Sequence, residues 1–268
     1  MLKKDFALGP DELKLLLASA FIGQFIGALF MGRLADRYGR RTAFMINLAL
    51  YSAMSLAGAF SPNAAFLVVT RFIAGIGIGG EFALADSYLS DILPKNVRGK
   101  YISLAYVVSF LGVPVVGFAA RWLTPQVFDL GGVEVQGWRL LFVFGALGSL
   151  LVWLVRRGLP ESPRWLVQQR RYAQARQVMR DMERRCGVAA TDFPSRPVDD
   201  AEGAPLRGRF RDIWAPQYRD RTLMLVVMNF FQAIGFFGFG NWLPALLSGK
   251  GASVTHSLLY AFFITLAY

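Results

Sequence analysis

The sequence has one cysteine, Cys186, and one histidine, His256, in 268 residues. A single cysteine excludes a disulfide framework or a thiolate metal cluster, and a single histidine excludes a multi-histidine metal centre. Charged residues are scarce, at 18%, and acids are scarcer than bases: 18 Asp and Glu stand against 29 Lys and Arg, for a net charge of +11. Hydrophobic residues make up 54%, 23 of them phenylalanine, and the mean hydropathy is +0.40. So apolar a chain is neither disordered nor furnished with an ordinary water-facing surface.

Crossing the hydrocarbon core of a bilayer takes about 20 helical residues. Six apolar runs approach or exceed that length: Leu13–Met31, Ala43–Phe60, Phe66–Ala85, Tyr101–Ala120, Trp138–Val155 and Leu223–Leu247. A seventh begins near Val254 and is still apolar at Tyr268. The series predicts an all-α polytopic membrane protein. Of the 29 basic residues, 22 fall on one side of the alternating connections. They are Arg33, Arg37, Arg40 and Arg41, then Lys95, Arg98 and Lys100, then fifteen more within Arg156–Arg221. Six lie on the other side, and Arg71 lies inside a run. The positive-inside rule makes the richer side cytoplasmic. Topology thus accounts for the basic excess, and the expected partner is a lipid bilayer with no nucleic acid. Nothing in the sequence sets an oligomeric state.

The long polar stretch has local order of its own. Ser162 is an expected N-cap, with Pro163 at the first helical position. Trp165, Leu166, Val178, Met179 and Met182 recur at helical spacing among polar residues, which predicts an amphipathic helix at the membrane surface. Residues 187–209 read as a linker, and Phe210–Trp214 as a short interfacial helix. A solvated connector and a regulatory element both fit this stretch.

The first cytoplasmic turn reads Gly32-Arg-Leu-Ala-Asp36-Arg37-Tyr-Gly39-Arg40-Arg41. Gly32 would permit a close helix approach. Gly39 suits a tight turn with positive φ. Asp36 can accept hydrogen bonds at a helix N-terminus or pair with a nearby arginine. This turn resembles the signature of the major facilitator superfamily of transporters, Gly-x-x-x-Asp-Arg-x-Gly-Arg-Arg. The resemblance implies that Gly32, Asp36, Arg37, Gly39, Arg40 and Arg41 form a gating motif; charge that only sets topology is the plainer alternative. Arg71, Gly75, Gly77 and Gly79, followed by Tyr88, Asp91, Pro94, Arg98 and Gly99, are similar to the fourth helix and next loop of its sugar-porter branch. Pro160-Glu-Ser-Pro-Arg-Trp165 is similar to that branch's marker after the sixth helix. By resemblance, Asp91, Arg98, Glu161 and Arg164 make up a cytoplasmic charge network.

Gly75-x-Gly77-x-x-Gly80 also fits a dinucleotide fingerprint, but it lies inside an apolar helix rather than after a strand. Close helix packing explains it better, as it explains Gly23-x-x-x-Gly27. Two ionisable residues sit within the third run, Arg71 and, deeper, Glu81. A charge there costs at least about 2.5–3.5 kcal/mol and is functional by default, although Arg71 is near enough to a boundary to snorkel. In proton-coupled sugar porters the arginine at this place pairs with an acid on the first helix, so the resemblance gives Arg71 and Glu81 to proton coupling. Glu81 is closer to the metabolite:proton symporter relatives, and Asp86 stands where sugar porters commonly have proline. The sixth run resembles the seventh helix of sugar porters at Gln232, Gly235 and Pro244, with Phe237, Asn241 and Trp242 in place of the sugar-binding Asn and the Tyr pair. Gln232, Asn241 and Trp242 are the substrate-site candidates, against ordinary packing.

The fold expected from the resemblance is an incomplete major facilitator fold of six full spans and part of a seventh. The signature turn follows the first run rather than the second, so the chain is expected to lack the family's first helix and helices nine to twelve. The expected divisions are a transmembrane bundle over 1–157, a cytoplasmic linker with amphipathic helices over 158–220, and the start of a second bundle over 221–268. The expected function is transport of a small organic solute, an organic or aromatic acid or a sugar-like metabolite, by alternating access coupled to protons. The fragment alone is expected to be inactive, and a membrane solute sensor is the alternative. Neither a metal nor a cofactor is expected beyond a proton gradient. With no nucleophile–base pairing, no enzyme activity is expected either. The expected location is the bacterial inner membrane.

Overall fold

A computed structural model describes residues 6, 9–129, 134–187 and 210–235. The chain divides into two compact units, Met1–Tyr106 with Trp122–Arg196, and Val107–Arg121 with Pro197–Tyr268.

In the first unit, α1 (Pro10–Tyr38) and α2 (Arg40–Ala59) meet at Gly39. Pro10 opens α1, Asp11 and Glu12 lie in its first turn, and the Glu12 carboxylate accepts the Gly9 N–H at 2.9 Å. Proline and acids suit a helix start, where free N–H groups carry partial positive charge. α3 (Ala64–Gly79) is capped by Asn63, whose side chain accepts the Phe66 N–H at 2.8 Å. α4 (Glu81–Ile92) continues α3 after an interruption at Gly80, and the pair forms one membrane-length segment, Ala64–Ile92. α5 (Arg98–Leu123) passes from the first unit to the second after Tyr106. An unexpected antiparallel hairpin follows, β1 (Val127–Asp129) and β2 (Glu134–Gln136), with Phe128 opposite Val135. α6 (Gly137–Arg156), α7 (Pro163–Gln168) and α8 (Tyr172–Cys186) complete the described part of this unit.

Among the described residues, five segments are long and apolar enough to cross a membrane: Asp11–Tyr38, Arg40–Ala59, Ala64–Ile92, Arg98–Leu123 and Gly137–Arg156. They coincide with the first five apolar runs. In the second unit, Phe210–Trp214 is a short 3-10 turn, as expected, and α9 (Pro216–Ala233) begins before the sixth apolar run and carries the first part of it. Asn241, Trp242 and the seventh run lie outside the described residues.

α1 and α3 run side by side in the same direction, and glycine sets their spacing. A Cβ at Gly23 or Gly27 would overlap the carbonyl oxygens of Phe72 and Ile76 on α3. A Cβ at Gly75 or Gly79 would overlap those of Ala20 and Gln24 on α1. Each helix thus offers small residues four apart to the other's backbone, the contact by which helices associate in lipid. The interruption at Gly80 has a related cause: a Cβ there would overlap Met31 of α1. Gly32 departs from expectation. No heavy atom lies within 4 Å of where its Cβ would stand, so it admits no close approach among the described residues.

Two buried clusters lie at opposite ends of this bundle. One joins Met31, Ala35, Ala43, Phe44, Leu84 and Tyr88 beneath the α1–α2 turn. The other joins Leu16 and Leu67. At that far end the Arg139 guanidinium donates to the carbonyls of Ala59 (2.7 Å) and Ser61 (3.0 Å), satisfying acceptors left free where α2 ends. The expected amphipathic helix is two helices, turned at Arg170 with φ 58°. Trp165, Leu166 and Ala175 are buried against one another, so part of the apolar stripe covers protein rather than lipid.

Candidate functional site: a charge network at the α1–α2 turn

The turn is built around Gly39. Its φ of +100° is a backbone conformation that L side chains rarely adopt. A Cβ there would also overlap the Glu161 carboxylate. Because glycine has no side chain to cap α2, the cap comes from 121 residues away. Glu161 Oε1 accepts the backbone N–H groups of Arg40 (2.9 Å) and Arg41 (3.2 Å), and that of Ser162 (2.9 Å). A carboxylate at a helix N-terminus meets free donors and the positive end of the dipole, a contact worth up to about 2 kcal/mol when partly buried.

The arginines fasten the same turn outward. Arg40 Nη1 pairs with Asp36 at 2.5 Å, and its Nε lies 3.8 Å from Asp91 Oδ2. Arg41 donates to the carbonyl of Arg157, at the end of α6. Asp91, near the end of α4, is only 12% exposed at its side chain and collects three partners. Besides Arg40 they are Arg164 Nη1 at 3.7 Å and the Ser162 hydroxyl at 2.8 Å. The fully buried Ser162 also caps α7, accepting the Trp165 N–H at 3.2 Å. Trp165 Nε1 donates to the Asp36 carbonyl at 2.9 Å, and Tyr88 Oη to the Pro160 carbonyl at 2.8 Å. One network therefore ties the ends of α1, α2, α4, α6 and α7 together. Ser162→Ala should lower stability by about 1–2 kcal/mol through the lost cap and the stranded Asp91 contact, measured as a lower thermal transition of the detergent-solubilised protein.

Of the expected residues, the structure gathers Asp36, Gly39, Arg40, Arg41, Asp91, Glu161 and Arg164 here. Arg37 instead lies over the Tyr38 ring, 5.3 Å from its centroid. Arg98 was expected in the network, but it reaches its own loop at the Leu93 carbonyl, 3.3 Å away. The cap at Ser162 is the expected one, whereas its bond to Asp91 and the contacts of Trp165 and Tyr88 lie outside the sequence expectation, although Tyr88 sits three residues before Asp91 on one helix face.

The proton-coupling candidates are not brought together. Arg71 on α3 and Glu81 on α4 are about 15 Å apart along the segment. Arg71 stands over the Phe142 ring at 4.1 Å and donates to Ser55 Oγ at 3.4 Å, with no carboxylate in reach among the described residues. Glu81 pairs with Arg156, which also lies over the Phe44 ring at 4.5 Å. Of the substrate-site candidates, only Gln232 is described; it is exposed on α9 in the second unit. Among the described residues no group of His, Cys, Asp and Glu could hold a metal ion.

Residues 10–246 match the family described as sugar (and other) transporter. The chain belongs to this family. The chain is similar to a niacin transporter of Acinetobacter baylyi, 34% identical over 267 residues, covering 99% of this chain and 58% of that protein. The same bacterium's 4-hydroxybenzoate transporter is 29% identical, covering 94% of this chain and 54% of its own length. The chain thus spans just over half the length of these relatives. Among solved structures, the major facilitator proton:xylose symporter XylE, bound to a bromodeoxyglucose, covers 95% of this chain and 56% of its own. Its TM-score is 0.69 at 22% identity, a likeness of fold. The described residues accordingly form a mostly helical, membrane-length bundle with the fold of a major facilitator transporter. The charged turn is the one that the sequence resemblance singled out.

Proposed function

We propose that this chain forms part of a proton-coupled symporter that takes up a small aromatic carboxylic acid across the bacterial inner membrane. The observation that carries the reading is the match along nearly the whole chain to a transporter named for niacin, a pyridine carboxylic acid. The 4-hydroxybenzoate transporter points to the same chemical class. The α1–α2 turn faces the cytoplasm in this reading, because the basic residues cluster on its side. The network around Glu161 and Asp91 is a gate: a set of ion pairs and helix caps held in one conformational state and released in another. Because the relatives are nearly twice as long, the 268 residues alone do not transport.

The test is uptake of labelled nicotinate and 4-hydroxybenzoate by cells making these 268 residues alone, or joined to the relatives' segments that lie outside the match. The joined protein should accumulate at least one of the two acids, and a protonophore should abolish accumulation. Uptake by the chain alone, or uptake that ignores both acids, contradicts the reading.

A further inference from the structure

α4 carries acids at three places, Glu81, Asp86 and Asp91, and each has a different partner. Glu81 is paired with the Arg156 guanidinium from α6. Asp91 has Arg40 and Arg164 within 4 Å, with the Ser162 hydroxyl. Asp86 has neither. Among the described residues its partner is the neutral phenol of Tyr106 on α5, which donates to Asp86 Oδ2 at 2.8 Å. The Tyr106 ring stacks on Phe82, one turn before Asp86, with centroids 6.1 Å apart and planes 3° from parallel. Asp86 lies about 7.5 Å along the helix from Asp91 toward the middle of the segment. Among the described residues, the arginines that reach α4 and the loop after it are engaged elsewhere: Arg40 and Arg164 with Asp91, Arg156 with Glu81, and Arg98 on the Leu93 carbonyl.

A carboxylate within a membrane segment needs a cation, a metal or a proton to offset its charge. Glu81 and Asp91 have cations. The geometry points to Asp86 as the proton-binding acid of α4, with Tyr106 as its positioning partner and Glu81 as a fixed half of an ion pair. This inference rests on the proton-coupled reading above. When Asp86 is ionised, Oδ2 accepts the Tyr106 O–H. When a proton from outside binds the carboxyl, the oxygen loses its full negative charge and the phenol bond weakens. That bond joins α4 to α5, so proton binding and release change how firmly the two helices are held. The proton leaves to the cytoplasm, and no other bond forms or breaks.

The experiment uses proteoliposomes containing the chain joined to the remaining segments, with labelled nicotinate or 4-hydroxybenzoate, whichever the unaltered protein takes up. A one-unit pH gradient supports about tenfold accumulation by a one-proton symporter. Asp86→Asn should reduce accumulation to equilibration while keeping exchange of labelled for unlabelled solute in preloaded vesicles. Glu81→Gln should slow uptake, and the remaining accumulation should still collapse with a protonophore. Tyr106→Phe, which keeps the ring stack, should shift the pH dependence of uptake. Proton-driven accumulation that survives Asp86→Asn overturns the inference and leaves the coupled reading intact. If Asp86→Asn does not fold, a Tyr106→Phe pH profile that matches the unaltered protein overturns it. Accumulation by the unaltered protein that ignores the proton gradient overturns both.

Discussion

Gly27→Leu should prevent α1 and α3 from packing, and with them the first unit. The neighbour at Gly27 is the Ile76 backbone carbonyl, and a rigid helix backbone cannot move aside as a side chain tip can. Overpacking a core typically costs about 1–3 kcal/mol, and backbone against backbone belongs at or beyond the upper end. Gly79→Leu should act the same way from the other helix, since its Cβ would overlap Gln24. Gly32→Ala is the control: the site has open space, and alanine is favoured over glycine in a helix by about 1 kcal/mol. Purified yield and thermal transitions in detergent should separate them, with the two leucine variants aggregated and Gly32→Ala at or above the unaltered protein. A well-behaved Gly27→Leu protein would show that the helices are not held at the spacing described.

Glu161→Ala should have the next largest effect. It removes the one acceptor that serves the N–H groups of Arg40, Arg41 and Ser162. Hydrogen bonds to a charged group contribute about 1.5–3 kcal/mol, so the loss should come to about 2–4 kcal/mol once water rehydrates the exposed helix end. Glu161→Gln keeps an acceptor and loses the charge, and should fall between. Arg37→Ala, whose side chain stands over the neighbouring Tyr38 ring and forms no ion pair among the described residues, should change stability by less than about 0.5 kcal/mol. If the network is the proposed gate, Glu161→Ala should also reduce uptake by the complete transporter. A loss of 1.4 kcal/mol from one conformational state shifts its population about tenfold.

The spans and the charged turn were legible in the sequence because apolar length and fixed motif spacing are local signals. Ser162 and Pro163 marked the α7 start for the same reason. The residue that closes the turn was only half legible. Resemblance placed Glu161 in a charge network, but nothing local shows that it caps a helix beginning 121 residues earlier. Arg98 misled for the converse reason: its motif position suggested the network, while its reach ends at its own loop. The interruption at Gly80 looked like one glycine among several, since its cause, Met31, is on another helix. Glu81 reads in the sequence as a proton-coupling acid because its partner, Arg156, comes from the end of another helix, α6. Sequence reading sees which residues are charged, and the fold decides which of them remain uncompensated.

The central claim is that the network at the α1–α2 turn holds a gate closed. Ser90, beside Asp91 on α4, offers the most direct test. With Cys186 replaced by serine, Ser90→Cys becomes the lone thiol of the chain, and a membrane-impermeant maleimide added from the cytoplasmic side reports access to it. Glu161→Ala and Asp91→Asn should each raise the labelling rate roughly tenfold, as expected when about 1.4 kcal/mol is lost from the closed state. Labelling that proceeds at the same rate with the network intact and broken would contradict the account.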